Sequence, residues 1–182
     1  MQLSVCHGRL ACRRCWTSDD KVQVKGNLKL VHDPGHWGAN DPRALVLGIS
    51  KGNTQSHAYV SEPFEQVAFK GIRHRILEIF HSVGLLVDEG PAQFDQRFTW
   101  METEFAFASV IRCSLMGMDR RKGIHTADSP NVIPAFRSGS EGYLFVSNCV
   151  DQYLGNLVPK TTGYTAWEHT IVCLSTSGCG SG

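Results

Sequence analysis

Two hydrophobic periods alternate along this chain, one suited to buried strands and one to helices. Arg43-Ala44-Leu45-Val46-Leu47-Gly48 is a short unbroken apolar run closed by glycine, the pattern of a strand covered on both faces. From Gly71 to Leu86 the apolar positions Ile72, Ile76, Ile79, Phe80 and Val83 recur at spacings of three and four, with Arg73, His74, Arg75 and Glu78 between them, so an amphipathic helix is predicted. Phe105 to Ile111 is an uncharged run rich in aromatic and β-branched residues and reads as a second buried strand, ended by Arg112 and Cys113. Phe145, Val146, Cys149, Val150, Tyr153, Leu154 and Leu157 give a second helix, closed by Gly155-Asn156 and Pro159, and Thr170 to Leu174 a last strand. Strand, helix, strand, helix, strand predicts an α/β fold, a three-layer α/β/α sandwich around a short, mostly parallel sheet, because parallel neighbours need crossover connections.

The rest of the chain is less regular. Residues 1 to about 40 show no apolar period and carry turn formers at His32-Asp33-Pro34-Gly35-His36-Trp37-Gly38, so they read as an irregular arm that something other than a core must hold. Residues 114–142 are polar and broken by Gly123, Pro130, Pro134 and Gly139, and read as a long loop or insertion. Residues 175–182 read as a small-residue tail. With 182 residues, one domain over 1–182 is expected.

Composition narrows the function classes. Hydrophobic residues are 42% and charged residues 19% of the chain, and 18 Lys+Arg nearly cancel 17 Asp+Glu, which predicts a soluble globule, not a disordered polybasic chain. No apolar run approaches the roughly 20 residues of a membrane-spanning helix, and the start lacks the long apolar region of a signal peptide. A cytoplasmic monomer away from membranes is expected.

Seven cysteines without an export signal favour metal ligation or burial over a complete disulfide framework. Cys12-Arg13-Arg14-Cys15 can point two sulfurs at one centre, which is compatible with structural zinc, a redox pair or chance. The redox reading is the poorest, since that motif should open a helix after a strand. Cys113 and Cys149, on a strand end and a helix face, also fit small buried hydrophobes. Cys6, Cys173 and Cys179 read as incidental, and His7, His32, His36 and His57 as surface or arm residues.

The order of these features is more specific than any one of them. A Cys-x2-Cys, a strand ending at Gly48, an amphipathic helix, Val110-Ile111-Arg112-Cys113 at a strand end and Asn148-Cys149 in the next helix resemble the iron–sulfur uracil-DNA glycosylases of the uracil-DNA glycosylase superfamily. The resemblance covers about residues 11 to 175. It implies that Cys12, Cys15, Cys113 and Cys149 bind one four-iron four-sulfur cluster, with zinc the alternative, and that the partner is DNA. It further implies that Gly48-Ile49-Ser50-Lys51-Gly52 forms the glycine-flanked loop where the extruded base and the attacking water meet.

Within that loop the resemblance assigns Gly48, Ile49 and Gly52 to substrate binding; Ser50 or Asn53 can orient water but supply no negative charge, and the competing reading of the loop is a tight glycine-bounded turn with Lys51 touching a phosphate. Phe64 takes the place of the aromatic that stacks on the flipped base, with Phe69 the alternative, and Ser109 the place of an Asn that reads the base edge. Arg112, Arg120, Arg121 and Lys122 against Asp119 form a local positive patch suited to DNA phosphates. Two departures stand out. The family's loop carries a carboxylate or an amide where this chain has Ile49 and Ser50, and the His-Pro-type motif expected beyond the last strand is absent from Ser175 to Gly182. The expectation is therefore a DNA glycosylase that hydrolyses the N-glycosidic bond of a damaged base, the alternatives being a non-catalytic iron–sulfur DNA binder or a zinc-bearing α/β domain unrelated to DNA.

Overall fold

The computed structural model describes residues 5–16 and 18–154, and the backbone of residues 170–174. The order of elements is β1 (Gly8–Arg9), β2 (Val22–Lys25), β3 (Leu28–Val31), β4 (Gly35–Gly38), β5 (Ala44–Gly48), α1 (Asn53–Ser61), α2 (Arg73–Ser82), α3 (Pro91–Gln96), β6 (Phe105–Ser109), β7 (Ser114–Asp119), β8 (Ile124–Thr126), α4 (Ser129–Val132), α5 (Tyr143–Cys149) and β9 (Thr170–Leu174). The fold is mixed α/β with two sheets. One has the order β1-β4-β6-β5-β9 and the other β2-β3-β7-β8.

The sheet differs from the mostly parallel one that the sequence pattern predicts. β5 pairs in parallel with β6 and β9, as expected for strands joined by helical crossovers. β4 and β1 extend the same sheet antiparallel, and every pairing in the second sheet is antiparallel. The reason lies in the segments read as arm and loop. Residues 1–40 contribute β1 to β4, and the region 114–142 opens with β7 and β8. Leu28 and Leu30 of β3 pair with Gly117 and Leu115 of β7, so each segment supplies the ladder the other lacks.

The alternation in β5 and β6 explains how the first sheet packs. Ala44, Val46, Phe105 and Phe107 face one side, where Ile76, Leu77 and Phe80 of α2 and Phe94 of α3 close a core rich in aromatic rings. Leu45, Leu47, Ala106 and Ala108 face the other side, with Leu154 packed against them.

The helix predicted at Gly71 to Leu86 is α2, with its buried stripe at Ile76, Leu77 and Phe80, while Ile79 and Val83 face solvent. It ends where Gly84 takes φ +76°. α5 continues as a π-helical turn over Val150–Leu154. The predicted closing residues Gly155, Asn156 and Pro159, and the 175–182 tail, lie outside the described residues. No helix among the described residues is long and apolar enough to cross a membrane.

Candidate functional site

The four cysteines that the resemblance implies as ligands converge. Cys12, Cys15, Cys113 and Cys149 line one small cavity with Trp16, Leu30, Ile111, Arg112 and Phe145. They arrive on three supports. Cys12 and Cys15 lie on a turn between β1 and β2, held where the His32 Nε2–H donates to the Cys12 carbonyl at 2.6 Å and the Gln23 side chain donates to the Cys15 carbonyl at 3.3 Å. Cys113 joins β6 to β7, and Cys149 ends α5. Around them Leu28, Leu115, Val132 and Phe145 form an apolar cluster.

That setting governs the thiols. Burial pushes Cys113 up to about 12 and Cys149 up to about 11, and raises Cys15 as well, so as free groups they are held neutral. Asn148 donates to the Cys15 sulfur at 3.4 Å, and further donors stand nearby. Among the described residues, Trp16 Nε1 and the Arg112 Nε and Nη2 are buried without a hydrogen-bond partner, and Arg112 is only 1% exposed. An unsatisfied buried donor costs about 1–3 kcal/mol. Four thiolates ringed by a guanidinium and an indole N–H form a donor set that fits an anionic iron–sulfur group, whose sulfurs accept hydrogen bonds. A tetrathiolate zinc also fits by chemistry.

The cavity itself is tight. Its free space is about 10 Å³, room for about one water, and among the described residues no three His, Cys, Asp or Glu side chains stand at the spacing of a bound metal ion. Accommodating a cluster therefore means parting the sulfurs. The half-exposed Cys12–Cys15 turn is the side free to yield, because Cys113 and Cys149 are locked in the core.

A second site lies beside this one, a cleft of about 360 Å³ at the carboxyl ends of β5 and β6. Gly48, Ile49, Ser50, Gly52, Asn53 and Ser109, all assigned to it from the sequence, line it together. The register explains the meeting, since Gly48 is the direct partner of Ser109 across the parallel pair. Ser50 ties the two sites. Its hydroxyl donates to the Cys113 carbonyl at 3.3 Å and accepts the Leu115 N–H at 2.6 Å, so it braces the loop and is not a free hydroxyl for water. Asn53 is exposed at the start of α1, and its side chain donates to the His125 carbonyl at 3.1 Å.

Several assignments are corrected. Lys51 is not at the surface to meet a phosphate. It is 1% exposed, 3.5 Å from Asp33, and donates to the Arg112 carbonyl. Asp33 in turn accepts the backbone N–H and hydroxyl of Ser114, so this buried pair knits β5 to β7. Phe64 does not line the cleft. Its ring stacks on Trp37 at 4.5 Å and belongs to the packing of β4. Phe69, the alternative, does line it. At φ +53° it is one of two described non-glycine residues in the left-handed region, and its N–H is held by Gln55 Oε1 at 2.9 Å. Such a conformation costs of order 1–3 kcal/mol and clusters at binding sites. A Cβ on Gly48 would come within 3.2 Å of the Phe69 ring, so the glycine is what lets the aromatic close over the loop.

Arg112 leaves the surface patch for the cysteine cavity, while Arg120, Arg121 and Lys122 remain exposed on the β7–β8 turn. Asp119 Oδ1 accepts the Arg121 and Lys122 N–H groups at 2.9 and 3.2 Å, which fixes that basic tip. His36, read as an arm residue, is fully buried against Arg112.

Among the cleft residues that escaped the sequence reading, Asp128 is the acidic one. The segment that follows β8 packs on the loop, with the Ala127 Cβ at 3.6 Å from where a Gly52 Cβ would stand, and it brings Asp128 to the rim. Its place in the 114–142 segment gives no hint of this; only the pairing of β7 with β8 does. Comparison with protein-family models, with characterised proteins and with solved structures finds no match.

Proposed function

We propose that this chain is a DNA-binding protein of the uracil-DNA glycosylase kind, with a cysteine-held iron–sulfur cluster as a structural staple and the neighbouring cleft as the pocket for an extruded base. The observation that carries the reading is the convergence of Cys12, Cys15, Cys113 and Cys149, from three separate segments, on one cavity that also holds unpaired buried donors.

The cluster, when bound, supplies a four-point anchor for the Cys12–Cys15 turn, the β6–β7 junction and α5. This chain's own residues then do the rest. Cys113 fixes Ser50, and Ser50 fixes the floor of the cleft. Phe69 presents an aromatic face to a flipped base, offsetting part of the few kcal/mol lost on unstacking. Ser109 offers one hydroxyl to the base edge, fewer contacts than an amide would make, which favours loose base choice. The basic tip Arg120–Lys122 contacts phosphates without reading sequence.

Protein purified without oxygen is expected to be brown, with broad absorption near about 400 nm and iron and sulfide in equal amounts. It should release the base from a uracil-containing single-stranded oligonucleotide, seen as alkali-labile strand scission. A colourless protein with one zinc per chain would defeat the cluster assignment. The second reading, a binder that does not cleave, is favoured by the absence of a carboxylate at Ile49 and Ser50. Salt-dependent DNA binding without scission would select it.

A further inference from the structure

We propose that Asp128 supplies the carboxylate that the Gly48–Asn53 loop lacks, acting on the attacking water from the opposite rim of the same cleft. The inference rests on the glycosylase reading and deepens it. Hydrolysis of an N-glycosidic bond passes through an oxocarbenium-like state, which calls for an oriented water and a nearby anion. Ile49 can provide neither, and the Ser50 hydroxyl is already engaged with Cys113 and Leu115.

Asp128 is the one acidic side chain lining the cleft among the described residues. The other charged side chain there, Lys70, is held by Glu62. Three contacts fix Asp128 in position. Asn53 donates to the His125 carbonyl at 3.1 Å, Ala127 packs against Gly52, and the Thr126 hydroxyl donates to Asp128 Oδ2 at 3.0 Å. Asn131 donates to the same Thr126 oxygen at 3.0 Å and so sets the direction of that hydroxyl. The second carboxylate oxygen takes no hydrogen bond among the described residues, and it is left for water.

The step balances without a co-reactant. The C1′–N bond breaks with its electron pair leaving on the base, the water oxygen bonds to C1′, and the proton lost by that water passes to the Asp128 carboxylate and on to solvent. The departing base takes a proton from solvent. The products are an abasic deoxyribose and a free base.

The test compares the loaded wild type with Asp128→Asn and Asp128→Glu on a uracil-containing single-stranded oligonucleotide, reading single-turnover scission and, separately, binding of the same strand by anisotropy. Asparagine keeps an acceptor for Thr126 while removing the charge. The expected result is a loss of about 100-fold or more in the single-turnover rate of Asp128→Asn. Binding should change less than about threefold, and Asp128→Glu should recover part of the rate. A rate for Asp128→Asn within about threefold of wild type overturns the assignment and leaves the glycosylase reading standing. Loss of binding and of melting temperature together with the rate makes Asp128 structural and also overturns it. A wild type that binds the strand but never cuts it removes the glycosylase reading and this inference with it.

Discussion

His36 lies fully buried between the Ala39 carbonyl and the Arg112 guanidinium. Its Nε2–H donates to Ala39 at 2.8 Å, so Nδ1 is the acceptor that faces Arg112 Nη1 at 3.3 Å. A proton on Nδ1 would set a donor and a positive charge against a guanidinium, away from water. Burial first, and Arg112 second, pull this histidine down from 6.5 to about 4. Its folded value lies below its unfolded one, so between those limits the unfolded chain binds a proton that the native chain refuses. The stability it contributes is therefore present above about pH 6.5 and is lost as the pH falls toward 4. Between pH 7 and pH 5 the loss should be about 2 kcal/mol. Urea unfolding at the two pH values checks this, with His36→Gln expected to flatten the difference. A wild-type midpoint that is the same at both would mean that His36 takes up its proton in the fold as readily as in the unfolded chain.

The β7–β8 hairpin shows what a single element adds. Its turn presents Arg120, Arg121 and Lys122 to solvent while Asp119 accepts the backbone N–H groups of Arg121 and Lys122. Lys122 lies 3.7 Å from Asp119, an exposed pair worth little, so the side chain is free for a phosphate. Replacing the three basic residues with alanine should weaken DNA binding uniformly across sequences and lower the salt slope by about two to three. The melting temperature should hold within a few degrees. A slope that does not change would place the DNA on another face. Element by element, the chain was legible where a pattern is local and long. β5 and α2 were readable because an unbroken apolar run and a 3.6-residue stripe carry their own signal. β2, β3 and β7 were not, because strands of four to six residues with half-exposed positions become strands only when Leu28–Val31 meets Ser114–Gly117. The cleft was half legible for the same reason. Gly48 and Ser109 end two recognisable strands, whereas Asp128 reaches the rim through hairpin pairing, and the choice between Phe64 and Phe69 was decided by Trp37 taking the former.

Over the whole molecule, the cysteine cavity joins the parts that a local pattern cannot. The Cys12–Cys15 turn, β3 and β7 of the second sheet, the β6 end of the first and α5 all contribute to one apolar cluster. The buried Asp33–Lys51 pair crosses between the same regions. If a cluster supplies the bonds among them, its removal releases the turn first, because Arg13 and Arg14 are exposed and, among the described residues, the turn is tied by single hydrogen bonds to His32, Gln23, Asn148 and Gln152. Trypsin offers a direct reading, since both of its targets in that turn lie between two of the proposed ligands. The loaded protein should resist cutting after Arg13 and Arg14, while chelator-stripped protein, or a Cys113→Ser variant, should be nicked there at least about tenfold faster under conditions where cleavage reports the open population. The nick should come before any loss of the α2 and α3 core, whose ring packing of Phe80, Phe94 and Phe107 shares no side chain with the cavity. Equal rates of nicking with and without the cluster would mean that the four sulfurs hold nothing together, and that the hydrogen bonds to His32, Gln23, Asn148 and Gln152 are enough to anchor the turn.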